Sequence, residues 1–198
     1  MLNTRASGVL MHLTSIPSRY GVGVMGDETK RFIDKIKGMG FSYWQVLPLN
    51  PPDFHGSPYT SDAAFAISHM FVSPDELVKD GLVSSEDIER SVYYGSPYTA
   101  DYEFAYSARL ELLRKAYSNA NEAIKAKAEK FANENEWCKS YSLFMAAKEK
   151  FDNKPWYEWG EDFARYENCL KNADKLKAEA DFYAFVQYIA FSQWKEIK

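Results

Sequence analysis

Apolar positions along the chain begin as two short runs and continue as long stripes with helical spacing. Residues 8–13, "GVLMHL", form a run of strand length that predicts a buried strand. The following "TSIPSRYGVGVMG", residues 14–26, breaks the run with glycines and a proline and reads as a loop. Asp27 is placed to cap the helix that comes next, on which Phe32, Ile33 and Ile36 share one face before Gly38 and Gly40 stop it. Residues 41–49, "FSYWQVLPL", are aromatic and branched, and Pro48, Pro51 and Pro52 end them as a second strand. Strand, helix and strand in about 45 residues make a βαβ unit, whose crossover sets the strands parallel and right-handed.

From Asp101 onward the period turns helical. Ala105, Ala108, Leu112, Leu113 and Ala116 give one stripe, and Trp137, Tyr141, Phe144, Met145 and Lys148 begin another. Residues 120–130, rich in alanine and lysine, read as a solvated helix, and 151–160, "FDNKPWYEWG", as a loop with two tryptophans. In the closing helix Tyr183, Val186, Gln187, Ala190 and Trp194 share a face, and the segment is apolar nearly all round, as in a helix buried under several neighbours. Two parallel strands need cover on both faces and do not make a stable sheet alone. The pattern therefore describes part of an α/β domain holding a helical insert.

Composition narrows the function. The chain has 198 residues, 46% hydrophobic and 26% charged, enough for a sizeable core without disulfides. Its 24 basic and 28 acidic residues are interspersed and leave no stripe that neutralises phosphates, so nucleic acid is not an expected partner. No apolar run reaches the roughly 18 residues of a membrane helix, and the N-terminus lacks a signal-peptide pattern; a membrane is not expected, and a cytoplasmic location is. Cys138 and Cys169 stand apart in helical segments and read as packing residues. His12, His55 and His69 are too scattered for a helical metal pair, so no metal site is expected. The outlier is an aromatic content of 16%, with several rings in loops, where they commonly meet flat ligands or partners.

One such loop is "HGSPYTSDAAFA", residues 55–66, echoed as "GSPYTAD" at 95–101. A solenoid needs three similar units, so two copies in unlike surroundings are not a repeat. In the second copy Pro97 fixes a turn, and Asp101 or Thr99 caps a helix. The first copy follows the C-terminal end of a parallel strand, the edge where α/β sheets and barrels hold ligands. There Tyr59 can stack on a ring and Ser57 can donate a hydrogen bond.

Five blocks carry a resemblance: "RASGVLMHLTSIPSRYGVGVMG" at 5–26, "WQVLPLNPP" at 44–52, "SPYTSDAAFA" at 57–66, "VSPDELVKDGLV" at 72–83 and "FVQYIAFSQW" at 185–194. In this order they resemble the amylomaltases or disproportionating enzymes, 4-α-glucanotransferases of the α-amylase superfamily. The resemblance implies an α/β fold, the N-terminal part of a (β/α)₈ TIM barrel, with residues 8–13 and 41–47 as its first two strands and a mainly helical inserted subdomain. The implied organisation is residues 1–72 as the start of the barrel, 73–180 as the insert, and 181–198 as a helix returning to the barrel ahead of the third strand. The chain then reads as an N-terminal fragment.

The resemblance also implies a chemistry: retaining transfer of α-1,4-glucan segments between maltodextrins, with one carboxylate as nucleophile and another as acid/base. Both belong to later strands, so no catalytic residue is expected up to residue 198, and the chain alone is expected to be inactive. No cofactor or catalytic metal is implied. The acid pairs Asp75 and Glu76, and Glu161 and Asp162, read as helix starts and solvated surface. Ser57 and Tyr59 match the family's Ser-Pro-Tyr, whose tyrosine contacts a glucose ring; Trp44 and Gln45 read as packing. Some members bind glucan at a second, outer groove with two tyrosines. Tyr102 matches one, and Phe54 stands in place of the other, keeping the ring and losing the hydroxyl. Tryptophans 156 and 159 match a family loop and read as subdomain packing. The alternative is a non-catalytic glucan-binding module or relic, and in either case the partners are α-1,4-glucans and, for a fragment, the remainder of the barrel.

Overall fold

The structure, a computed structural model, describes residues 5–52, 56–96 and 99–198. They fall into two compact units, one running up to Asn119 and including Ala190–Lys198, the other Ala120–Ile189.

In the first unit β1 (Gly8–Leu10) pairs in parallel with β2 (Tyr43–Gln45), in the register Gly8 to Tyr43, Val9 to Trp44 and Leu10 to Gln45, and α1 (Asp27–Gly38) makes the crossover. The strands are shorter than their apolar runs, because the chain leaves β1 for a 3₁₀ turn at Leu13–Ser15 and the prolines close in on β2. Nor are they buried: Leu10 is 60% and Tyr43 47% exposed, since a two-stranded sheet does not cover its own faces. Asp27 does not cap α1. Gly26 holds the cap position, and Asp27 opens the first turn, where its carboxylate meets Lys79 at 3.1 Å and favours the helix dipole. Phe32 packs edge-on against Trp44 at 5.4 Å, as the apolar face of α1 requires.

The loop before α1 is the centre of this unit. Tyr20–Gly26 are all buried, although none of them is helix or strand. Backbone groups buried in this way need partners. Gly23 N–H donates to Thr14 O, Met25 N–H to Phe71 O at 2.8 Å, and Gly21 O accepts from Asp101 N–H at 2.9 Å. Thr29 Oγ1 donates to Val24 O at 2.6 Å. The close approach requires a glycine, because a Cβ on Gly23 would stand 1.9 Å from the Leu13 carbonyl oxygen.

Around this loop lie α2 (Pro74–Lys79), α3 (Ser85–Ile88) and α4 (Tyr102–Asn119). Ser73 caps α2, and its own backbone is held by the amide of Gln193: Ser73 N–H donates to Oε1 at 2.8 Å and Nε2 donates to Ser73 O at 3.3 Å. Ser84 and Asp87 form a reciprocal capping box on α3. Asp101 caps α4 by accepting from Phe104 N–H at 2.9 Å, which decides between the two residues considered for that role. The buried stripe of α4 contains Arg109 in place of Ala108. The Arg109 guanidinium lies 5.0 Å from the centre of the Tyr20 ring, and none of its nitrogens finds a hydrogen-bond partner among the described residues. Burial pulls it down to about 9, leaving it charged at neutral pH. One turn away, His69 Nε2–H donates to Tyr106 O at 3.1 Å with the two rings 4.2 Å apart.

The second unit contains α5 (Glu122–Glu134), α6 (Glu136–Lys150), α7 (Tyr166–Lys171) and the first part of α8 (Lys177–Ile197). The buried stripe of α6 is Cys138, Ser142, Leu143, Ala146 and Ala147, one position round from the aromatic face that the sequence suggests. Small residues let neighbours approach closely, and the larger Trp137, Tyr141, Phe144 and Met145 flank the contact half-buried. Leu143, Ala146 and Ala147 form one core with Trp159, Phe163, Cys169 and Leu176. Both cysteines are free and buried, and burial pushes the Cys138 thiol up to about 11, as packing residues require. On α8, Phe182–Gln187 are buried without interruption, the all-round burial expected of that helix. The paired tryptophans part company: Trp159 is buried and Trp156 is exposed.

Two measurements check this account. Gly23→Ala should lower unfolding free energy by at least about 3 kcal/mol, whereas Gly38→Ala, with open space at its Cβ, should gain roughly 0.5–1 kcal/mol; urea unfolding reads both. Burial lowers His69 from 6.5 to about 4. Between these values only the unfolded chain takes up the proton, so stability should fall as pH drops from about 6.5 to about 4, by up to roughly 3 kcal/mol. Urea titrations at pH 7 and 4.5 should show this loss, and His69→Gln should flatten it; an unchanged slope in the variant would contradict the assignment.

Candidate functional site

The C-terminal ends of the two parallel strands determine what can face a ligand. Beyond β1 the pairing continues for one more bond, from Met11 N–H to Gln45 O at 3.1 Å, before His12 and the 3₁₀ turn. Beyond β2 the chain runs through Pro48, Leu49 and Asn50, and Leu49 O accepts from Ser68 N–H at 2.7 Å. This bond ties the strand end to the 3₁₀ turn at His69–Phe71, and Phe71 in turn supports the His12 ring edge-on at 5.6 Å.

Between Asn50 and Ser68 lies the Ser-Pro-Tyr turn. Ser57 O accepts from Thr60 N–H at 3.4 Å, and Ser57 Oγ accepts from Tyr59 N–H at 3.3 Å, so one serine closes the turn twice. Gly56 enters it with φ of +77°, a conformation that disfavours a side chain. A Cβ there would also come within 3.4 Å of the Tyr102 ring. Tyr59 is thereby held on a short closed turn with its ring 75% exposed.

Of the residues singled out in the sequence, Ser57 and Tyr59 thus stand together, and Tyr102 stands against the same turn from the start of α4. The Tyr102 hydroxyl donates to Thr14 Oγ1 at 3.3 Å, which links α4 to the turn after β1. Phe54 lies outside the described residues. Trp44 is a packing residue: its indole N–H donates to Met11 O at 2.8 Å, and its ring meets Phe32 at 5.4 Å and Trp194 at 6.2 Å.

Sequence reasoning missed three polar groups at this edge. His12 Nδ1, Asn50 Oδ1 and Ser68 Oγ are buried without a hydrogen-bond partner among the described residues. Such groups are uncommon and point to water or a ligand. Burial lowers the His12 imidazole, so it is neutral at pH 7. The signal that could have found His12 and Asn50 is position, for each is a polar residue a short way past the C-terminal end of its strand.

The edge thus offers an exposed ring, a hydroxyl, an imidazole and an amide, a set suited to a polyhydroxylated ring. The acid pairs singled out in the sequence stand in the first turn of α2 and in turns of the second unit. Asp75 is paired with Arg19 at 2.9 Å, Glu76 with Lys79 and Lys30, and Glu161 and Asp162 are exposed in turns ahead of α7. Among the described residues there is no group of three side chains that could hold a metal ion, and no helix is long and apolar enough to cross a membrane.

A family model described as 4-alpha-glucanotransferase matches residues 11–198. The 4-alpha-glucanotransferase of Aquifex aeolicus is 40% identical over 199 aligned positions, covering 98% of this chain and 40% of that protein. The one from Clostridium butyricum is 36% identical, covering 95% and 39%. Among solved structures, an amylomaltase from Streptococcus agalactiae in complex with acarbose superposes with a TM-score of 0.90 at 33% identity, covering 98% of this chain and 40% of that one. The chain therefore spans about two fifths of the length of the relatives it matches.

Proposed function

The chain belongs to the 4-alpha-glucanotransferase family, and from that premise we propose that its Ser57–Tyr59 turn is part of the wall of an α-1,4-glucan cleft. The observation that carries this reading is the exposed Tyr59 ring on a doubly closed turn at the C-terminal edge of two parallel strands. An aromatic face takes the C–H face of a pyranose, while Ser57 and the polar groups of His12, Asn50 and Ser68 meet hydroxyls.

In this reading β1 and β2 are the first strands of a (β/α)₈ barrel. Residues 1–72 begin the barrel, 73–180 form the helical insert and 181–198 return to it. The exposure of Leu10 and Tyr43 supports this, since parallel strands take cover on both faces. The whole enzyme transfers glucan segments between maltodextrins in the cytoplasm by a retaining route. Two carboxylates about 5 Å apart divide the work: one attacks the anomeric carbon as the other protonates the departing sugar, and the 4-hydroxyl of an acceptor glucan then opens the glycosyl-enzyme. Transfer over hydrolysis requires the acceptor to be held better than water, which is the task assigned to Tyr59 and its neighbours. The carboxylates are supplied by strands outside these 198 residues.

Titration with maltoheptaose should show saturable binding, weakened about tenfold by Tyr59→Ala and less by Ser57→Ala, in isothermal calorimetry; unchanged affinity in Tyr59→Ala would refute the placement. Incubation of the chain with maltotriose should yield no glucose or longer maltodextrins, and their appearance would show that a carboxylate pair does lie within residues 1–198.

A further inference from the structure

We propose a second glucan-binding platform, formed by Trp156 and Tyr157 in the second unit. Trp156 is 56% and Tyr157 66% exposed, and their rings meet edge-to-face at 5.7 Å and 79°. Large rings left in water on a soluble surface call for a reason.

The segment that carries them is built to hold them out. Asp152 and Asn153 both adopt left-handed backbone, with φ of 54° and 60°, which costs free energy in residues other than glycine. They are kept there by Asp152 N–H to Glu149 O at 3.1 Å, Asn153 N–H to Lys148 O at 2.8 Å and Lys154 N–H to Phe151 O at 3.0 Å. Trp159 anchors the far side, buried and stacked on Phe151 at 5.9 Å and 10°, with its indole N–H donated to Lys154 O at 2.7 Å. The 3₁₀ turn at Trp156–Glu158 lies within these anchors. Its rings are therefore displayed on a fixed backbone, so little ordering entropy is left to lose on binding.

The occupant is an α-1,4-glucan, an inference that rests on the proposed function. Two rings set at an angle, each largely exposed, suit a chain that curves, as α-1,4-linked glucose does. Asp152, Asn153, Lys154 and Glu158 of the same segment are exposed and supply groups for sugar hydroxyls. A protein partner would call for a broader apolar patch than two rings in a polar border.

The test follows the indole N–H cross-peaks of the ¹⁵N-labelled chain through a maltoheptaose titration, with the Trp156 peak identified by its loss in Trp156→Phe. The Trp156 peak should shift saturably, with an affinity untouched by Tyr59→Ala and weakened about fivefold or more by Tyr157→Ala. A Trp156 peak that stays still while Tyr59-dependent binding saturates would overturn the platform and leave the cleft reading standing. A shift at Trp156 without any Tyr59-dependent binding would support the platform and remove the cleft. Equal affinity in Tyr157→Ala would overturn the two-ring site.

Discussion

Everything near the candidate cleft depends on a backbone segment that is buried without being helix or strand. Residues 20–26 are buried, so their amides and carbonyls compete for partners away from water. Those partners come from four places: the turn after β1, the turn at Phe71, the residue that caps α4, and α1 itself. Gly23 permits the contact, since no side chain fits against the Leu13 carbonyl. Gln193 adds a fifth tie by using its whole amide on the backbone of Ser73, next to the same loop. The apolar side chains of the loop, Val22, Val24 and Met25, are buried with it.

The network reaches the candidate site through Tyr102. Asp101 both caps α4 and donates its backbone N–H to Gly21, so the helix start is set by the loop. From there the Tyr102 ring backs the Gly56 turn, and its hydroxyl reaches Thr14 beyond β1. Tyr59 is thus presented by a turn supported from both the strand side and the helix side. Arg109 and His69 deepen the same packing, with a buried cation on the Tyr20 ring and a neutral imidazole against Tyr106.

The order of elements was legible in the sequence because hydrophobic period is local: the βαβ unit, the helices beyond Asp101 and the buried last helix follow from spacing alone. Faces were less legible. The aromatic stripe of α6 was the more hydrophobic one, yet the buried stripe is the smaller one through Cys138, Ala146 and Ala147, because close approach outweighs ring area there. Arg109 falls on the α4 stripe at the right spacing from Ala105 and Leu113, but a charge is discounted by any hydrophobic pattern. The glycines of residues 14–26 read as loop punctuation, whereas Gly23 allows burial. At the candidate site, Ser57 and Tyr59 were singled out by their place after a strand together with the family resemblance. His12 and Ser68 are tied to their neighbours at this edge by tertiary contacts, which no spacing records.

The most direct test of this account is hydrogen exchange with and without maltoheptaose, read at single amides. The account predicts that Met25 and Asp101, bonded across the buried loop, are strongly protected in both conditions, and that ligand adds protection in the first unit at Tyr59 and Thr60. Fast exchange at Met25 and Asp101, or ligand protection elsewhere in the first unit with none at Tyr59 and Thr60, would contradict it.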